Sequence, residues 1–186
     1  MGRAKLAVFD MDGTLFDTAE VNYRSYAAAA EKIGFFIDRE KFKEVFVGRN
    51  YRDFLPLFGI SKEEDLEFVH KEKKMLYPQY LRYARKNQAL FDIINTLKTE
   101  YVVVLATTAS RANAMDILEC FHVARFFDYM ITQEDSKELK PNPECYLKAM
   151  ELAGIGPEKT IVFEDSDVGI IAGQASGASV YKVCGF

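Results

Sequence analysis

Four short stretches of this 186-residue chain carry reactive side chains, three of them at the ends of apolar runs and one ahead of a Pro-Asn-Pro turn. Asp10 and Asp12, in Asp10-Met-Asp-Gly-Thr14, follow the run 5–9 (KLAVF). Two carboxylates at such a place suit a hard cation or an acid/base pair, and the plainer alternative is a turn reversed by Asp12 and Gly13. Glu164 and Asp165 follow the run 160–163 (TIVF) and offer further oxygen ligands, or simply the acidic start of a helix with Ser166. Asp167 reads as one more first-turn carboxylate. Thr107 closes the run 101–106 (YVVVLA), where its hydroxyl and the next main-chain N–H groups can hold a phosphate; Thr108 can substitute, and Ser110 is the better helix cap. Lys140, ahead of Pro141-Asn-Pro143, is placed to neutralise a transferring phosphoryl group. Asp10 can then act as a carboxylate nucleophile, splitting displacement at phosphorus into formation and hydrolysis of an aspartyl-phosphate.

The elements that must hold these groups follow from periodicity. Five apolar runs, 5–9, 101–106, 129–132, 160–163 and 178–183, read as buried strands. Helical patterns at 89–99, 111–121, 143–153 and 166–175 alternate with them, which predicts a parallel sheet covered on both faces, an α/β fold. Between residues 15 and 87 the alternation stops, and helical patterns at 18–33, 39–46, 51–58 and 63–85 stand alone, the last interrupted by Pro78. About seventy residues of helix are thus inserted after the first strand of a parallel sheet.

The ordered set of motifs resembles the haloacid dehalogenase superfamily of hydrolases over essentially the whole chain. The matching residues are Asp10 to Thr14 continuing as Leu15-Phe16-Asp17-Thr18, Val104-Leu-Ala-Thr107, Lys140 in Lys-Pro-Asn-Pro-Glu, and Glu164-Asp165-Ser166 with Gly169. The chain is similar to the helical-cap subgroup of β-phosphoglucomutases and phosphoglycolate phosphatases. The resemblance implies a Rossmann-like parallel core, strand order 5-4-1-2-3, built from residues 1–14 and 89–186, with a helical cap over 15–88. It implies a Mg²⁺-dependent phosphatase acting on a small phosphomonoester through phospho-Asp10. Asp12 would protonate the leaving oxygen and later deprotonate water. Asp10, the Asp12 carbonyl and Asp165 would hold Mg²⁺, with Glu164 either direct or one step removed. Haloacid dehalogenases proper lack the second aspartate, so intact Asp12-Gly13-Thr14 disfavours carbon–halogen cleavage. The segment Asp17 to Tyr26 resembles the start of the mutase cap, but Asn22 stands where that group usually has His. Gly48-Arg-Asn-Tyr-Arg52 falls where the subgroup has its specificity loop, so that Arg49 or Arg52 can hold a second anionic group, or form an ordinary solvated helix start. Two alternatives stay open, a sugar-phosphate mutase and a non-catalytic phosphate-binding regulatory module. Binding alone has no need of an acid/base carboxylate.

Composition narrows the partners. A net charge of −4 without long like-charge runs disfavours nucleic acid and anionic membranes, and the apolar runs fall short of the roughly twenty residues of a membrane span. Asp10 and Asp12 interrupt any secretory segment, which points to a cytoplasmic protein acting on a small phosphorylated metabolite. Cys120, Cys145 and Cys184 lack metal-ligand spacing and are expected as buried free thiols. His70 and His122 are expected as surface or structural residues, and the Phe- and Tyr-rich cap helices as core rather than a base-stacking platform. Relatives usually continue beyond the fifth strand, so an exposed or dimer-paired sheet edge is expected near Phe186.

Overall fold

Strand β1 (Lys5–Phe9) lies at the centre of a sheet covered on both faces, which is why Leu6 to Phe9 are apolar without alternation and fully buried. The computed structural model describes residues 2–46 and 49–186. After β1 come the two-residue β2 (Phe16–Asp17), helices α1 (Ala19–Glu31), α2 (Arg39–Phe46), α3 (Tyr51–Phe54) and α4 (Glu63–Leu76), and the two-residue β3 (Arg85–Lys86). The chain then alternates through α5 (Gln88–Leu97), β4 (Tyr101–Ala106), α6 (Arg111–Cys120), β5 (Tyr129–Ile131), α7 (Glu144–Ala153), β6 (Thr160–Glu164), α8 (Asp167–Ala175) and β7 (Ser179–Lys182).

The parallel sheet has the order β5-β4-β1-β6-β7. Numbering only these five strands along the chain, the order is 5-4-1-2-3. On one face Leu6, Val8, Val104 and Val162 pack with Tyr146, Ala149 and Met150 of α7 and Ala172 of α8. On the other, Phe16 meets Phe91 of α5 and Phe121 at the end of α6. Register sets the site: Phe9 pairs with Leu105 on β4 and with Phe163 on β6. One residue further out, Asp10 and Glu164 therefore emerge side by side, and the Asp10 N–H bonds the Phe163 carbonyl at 3.0 Å.

The chain divides into two compact units, Met1–Asp17 with Arg85–Phe186, and Thr18–Ala84. The helical unit has its own core of Tyr26, Phe42, Phe54, Leu55 and Val69, so its aromatic residues are indeed packing groups. The expected helix 51–58 splits into α3 and a 3-10 turn (Leu55–Phe58), and α4 gives way to a second 3-10 segment (Tyr77–Tyr83). Pro56 and Pro78, which lack the N–H that an α-helix needs, stand at these breaks. The antiparallel β2–β3 pair was not anticipated, being too short to leave a periodic trace.

Two expectations about cysteine need correction. Cys145 is buried, but Cys120, the last residue of α6, and Cys184, beyond edge strand β7, are exposed, and all three are free thiols. Among the described residues β7 pairs in the sheet with β6 alone and leaves Tyr181 more than half exposed.

Candidate active site

The carboxylate of Asp10 is almost wholly buried, at 6% exposure, where β1 ends. Lys140 Nζ donates to Asp10 Oδ1 and to Glu164 Oε1, each at 2.7 Å, and approaches the Ala106 carbonyl at 3.4 Å. The Lys140 side chain is only 4% exposed, so this cation and both its partners are withdrawn from water together. Such a cluster holds only when each charge is compensated. Carboxylate oxygens of Asp10, Glu164 and Asp165 all lie within 4.8 Å of one another, so three acidic groups share one lysine. The imbalance is felt at Asp10, whose carboxyl is pushed well above its usual range by burial and by the Glu164 charge, against the pull of Lys140. Burial opposes the Lys140 charge, but Asp10, Tyr146 and Glu164 outweigh it and hold the ammonium well above the ordinary lysine range.

Glu164 is turned back into the protein. Its Oε2 accepts from the Ser166 N–H at 2.9 Å and hydroxyl at 3.2 Å, while Oε1 also accepts from the Tyr146 hydroxyl at 3.3 Å. Ser166 in turn caps α8 through the Gly169 N–H at 3.1 Å, so the helix-start reading of Glu164-Asp165-Ser166 and its acidic cluster coexist. Asp165 Oδ1 accepts from the buried Thr14 hydroxyl at 2.8 Å, and burial raises its carboxyl despite that bond.

Two glycines permit this crowding. A Cβ on Gly13, whose φ is +88°, would stand 2.1 Å from Asp165 Oδ2, and one on Gly169 would stand 1.7 Å from Glu164 Oε1.

Thr107 is 3% exposed, and its Oγ1 accepts from the Ala109 N–H at 3.0 Å, leaving the hydroxyl hydrogen as a donor. Ser110 caps α6 through the Asn113 N–H, as the sequence suggests, and Thr108 is exposed. Asp12 is half-buried in the turn after Asp10. Asp167 points outward, 3.4 Å from Lys182.

The cap residues lie in the helical unit. Arg52 reaches Glu63 Oε1 at 2.8 Å and also bonds Glu67 and the Tyr51 hydroxyl, so its charge is already shared within the unit. Arg49 is exposed, and Gly48 lies outside the described residues. Asn22 donates to the Thr18 carbonyl at 3.1 Å and Thr18 Oγ1 at 3.2 Å, both within its own helix turn. His70 stacks on Tyr51 with ring centres 3.8 Å apart and faces the Tyr26 hydroxyl, and burial, then Lys74 and Lys73, push its pKa down to about 4. His122 is exposed.

Tyr146 escaped sequence reasoning. It stands six residues beyond Lys140 in an ordinary-looking helix, yet its ring lies 5.0 Å from Lys140 Nζ and its hydroxyl meets Glu164.

The cluster fits a divalent cation, since hard oxygen donors converge with more negative charge than Lys140 balances.

Comparison with known proteins places the chain in a family. The model of a family described as haloacid dehalogenase-like hydrolase matches residues 7–183. A phosphorylated carbohydrates phosphatase of Thermotoga maritima is 30% identical over 177 residues, covering 91% of this chain and 80% of the relative. The pyrophosphatase PpaX of Bacillus mycoides is 27% identical over 184 residues, covering 95% and 81%. Among solved structures, CbbY of Rhodobacter sphaeroides in complex with phosphate superposes with a TM-score of 0.86 at 23% identity, covering 98% of this chain and 87% of that one.

Proposed function

Because the chain belongs to the haloacid dehalogenase-like hydrolase family, we propose that it hydrolyses small phosphomonoesters in the cytoplasm, using Mg²⁺ and a phospho-Asp10 intermediate. The observation that carries the reading is the buried convergence of Asp10, Lys140, Glu164 and Asp165 at the carboxyl end of the sheet. Relatives named for phosphorylated carbohydrates and for pyrophosphate support a phosphorylated substrate.

The Asp10 carboxylate attacks phosphorus, and the P–O bond to the leaving group breaks as Asp12 delivers a proton to that oxygen. Water then attacks the phospho-Asp10 phosphorus, giving its proton to Asp12 and releasing phosphate with Asp10 restored. Lys140 balances charge on Asp10 and on the phosphoryl group, while the Thr107 hydroxyl and main-chain N–H groups before α6 hold its oxygens. Asp10, the Asp12 carbonyl and Asp165 would hold Mg²⁺, with Glu164 behind them, since both its oxygens already have protein partners. When bound, Mg²⁺ supplies the positive charge that lets a phosphate dianion approach several carboxylates. In the cap, Arg49 is the better candidate for a second anionic group, because Glu63 and Glu67 occupy Arg52.

The mutase alternative is weakened by Asn22, whose amide is spent on Thr18 and which carries no titratable group.

The test is phosphate release from sugar phosphates, phosphoglycolate, nucleotides and pyrophosphate, with and without Mg²⁺, for the protein and for Asp10→Asn. Mg²⁺-dependent release that falls at least roughly a thousandfold in the variant is expected. Equal release from both proteins would overturn the reading.

A further inference from the structure

Lys140 sits in a loop without regular structure, between the 3-10 turn Gln133–Asp135 and α7, yet its ammonium is held to two acceptors at 2.7 Å. A lysine on a flexible stem keeps such geometry only if its main chain is fixed. The start of the loop is fixed by Asp135, whose Oδ2 accepts from the Thr132 N–H and hydroxyl, both at 2.8 Å. The residues that follow are fixed from α7. Glu144 Oε2 accepts the N–H groups of Lys137 at 2.9 Å and Glu138 at 2.8 Å, while Oε1 pairs with Lys148 at 2.7 Å, one turn along the helix. Lys148 also donates to the Asp135 carbonyl, so the two anchors are joined.

We propose that Glu144 is a positioning residue for Lys140: its carboxylate clamps the loop two and three residues before the lysine and so sets the ammonium between Asp10 and Glu164. The proposal rests on the phosphatase reading, in which Lys140 acts on the transferring group. Glu144 touches neither Asp10 nor the place of reaction, and its influence passes through the main chain. Hydrogen bonds from two N–H groups to an ionised acceptor are directional and strong enough to hold a loop. The Lys148 ammonium and these two N–H groups pull the Glu144 pKa down to about 2, so the clamp stays charged at any pH where an enzyme of this kind works. An acidic residue in the first turn of a helix needs no such role to be favourable. Helix stabilisation alone, however, would change stability without acting through Lys140.

A double-mutant cycle separates the two. Glu144→Ala and Glu144→Gln are made in the natural chain and in Lys140→Ala, and turnover of 4-nitrophenyl phosphate is followed with Mg²⁺ at enzyme concentrations high enough for the weakest variant. In the natural chain Glu144→Ala is expected to lower kcat about thirtyfold with KM within about twofold, by misplacing a group that acts in the transition state. In the Lys140→Ala background the same change should cost less than about twofold. Amide exchange at Lys137 and Glu138, read by NMR, should quicken in Glu144→Ala. Glu144→Gln keeps an acceptor oxygen and should lose only about fivefold, which keeps the test open if the alanine variant folds poorly. Equal losses in both backgrounds, or a lowered Tm with kcat unchanged, would overturn the role of Glu144. Unimpaired turnover by Lys140→Ala alone would instead remove Lys140 from the chemistry, and the proposal with it, while the phosphatase reading itself stands or falls with Asp10→Asn.

Discussion

Each unit of the molecule places one cation between two carboxylates. In the larger unit Lys140 stands between Asp10 and Glu164 with its side chain 4% exposed; in the helical unit Arg52 stands between Glu63 and Glu67 with its side chain 47% exposed. The pairing is the same and the solvent differs. Around Arg52, water screens the charges and can replace either partner, so the cluster holds a surface in shape at little cost if broken. Lys140 and its two partners are almost wholly withdrawn from solvent, and the removal of one partner strands the others in a medium that penalises bare charge. Burial therefore makes the Lys140 cluster a demanding arrangement, while exposure makes the Arg52 cluster a tolerant one.

The sharpest way to break the comparison is Lys140→Met, which fills similar space without charge. It should lower kcat by roughly a hundredfold to a thousandfold and, in the absence of Mg²⁺, cost about 3 kcal/mol in urea unfolding. Turnover within tenfold of the natural chain would mean that the buried cation is structural only. An intermediate effect is expected from the half-buried His70, whose folded pKa is about 4 against an ordinary value near 6.5. As pH falls below 6.5 the unfolded chain takes up that proton first, so the stability contributed by neutral His70 is lost progressively down to about pH 4. Urea midpoints between pH 7 and pH 4.5 should therefore drop further for the natural chain than for His70→Asn, and parallel curves would refute this. The smallest effect belongs to Arg52→Met, where Tm should move by no more than about 2 °C and the shift should fade at high salt.

Much of this was legible in the sequence because the informative residues sit where apolar runs end. A run such as 101–106 can hardly be anything but a buried strand, and in a parallel sheet its carboxyl end is where ligands bind, so Thr107 was marked by position as well as type. Asp10 and Asp165 were marked likewise, and Lys140 by the Pro141-Asn-Pro143 that follows it. Long-range pairings left no such trace. Nothing near Arg52 announces that Glu63 and Glu67, eleven and fifteen residues on, will take up its charge. Tyr146 and Glu144 look like routine members of an amphipathic helix, and only the folded chain brings one to Glu164 and the other to the Lys137 and Glu138 N–H groups. The exposed Cys120 and Cys184 show the reverse error, since residue type predicts average burial and not the face on which a helix end or an edge strand leaves it.

The register of β1 against β6 reaches into how the protein must be handled. Asp10 and Glu164 meet because Phe9 faces Phe163. Sliding β6 by a single residue would keep a parallel strand and its helix, but it would send the Glu164 carboxylate to the opposite face of the sheet. On the proposed reading such a slipped species would lose the Lys140–Glu164 pairing and with it turnover, while its helix and strand content, which circular dichroism reads, would change little. Activity per milligram is thus a stricter gauge of a preparation of this protein than any measure of its secondary structure.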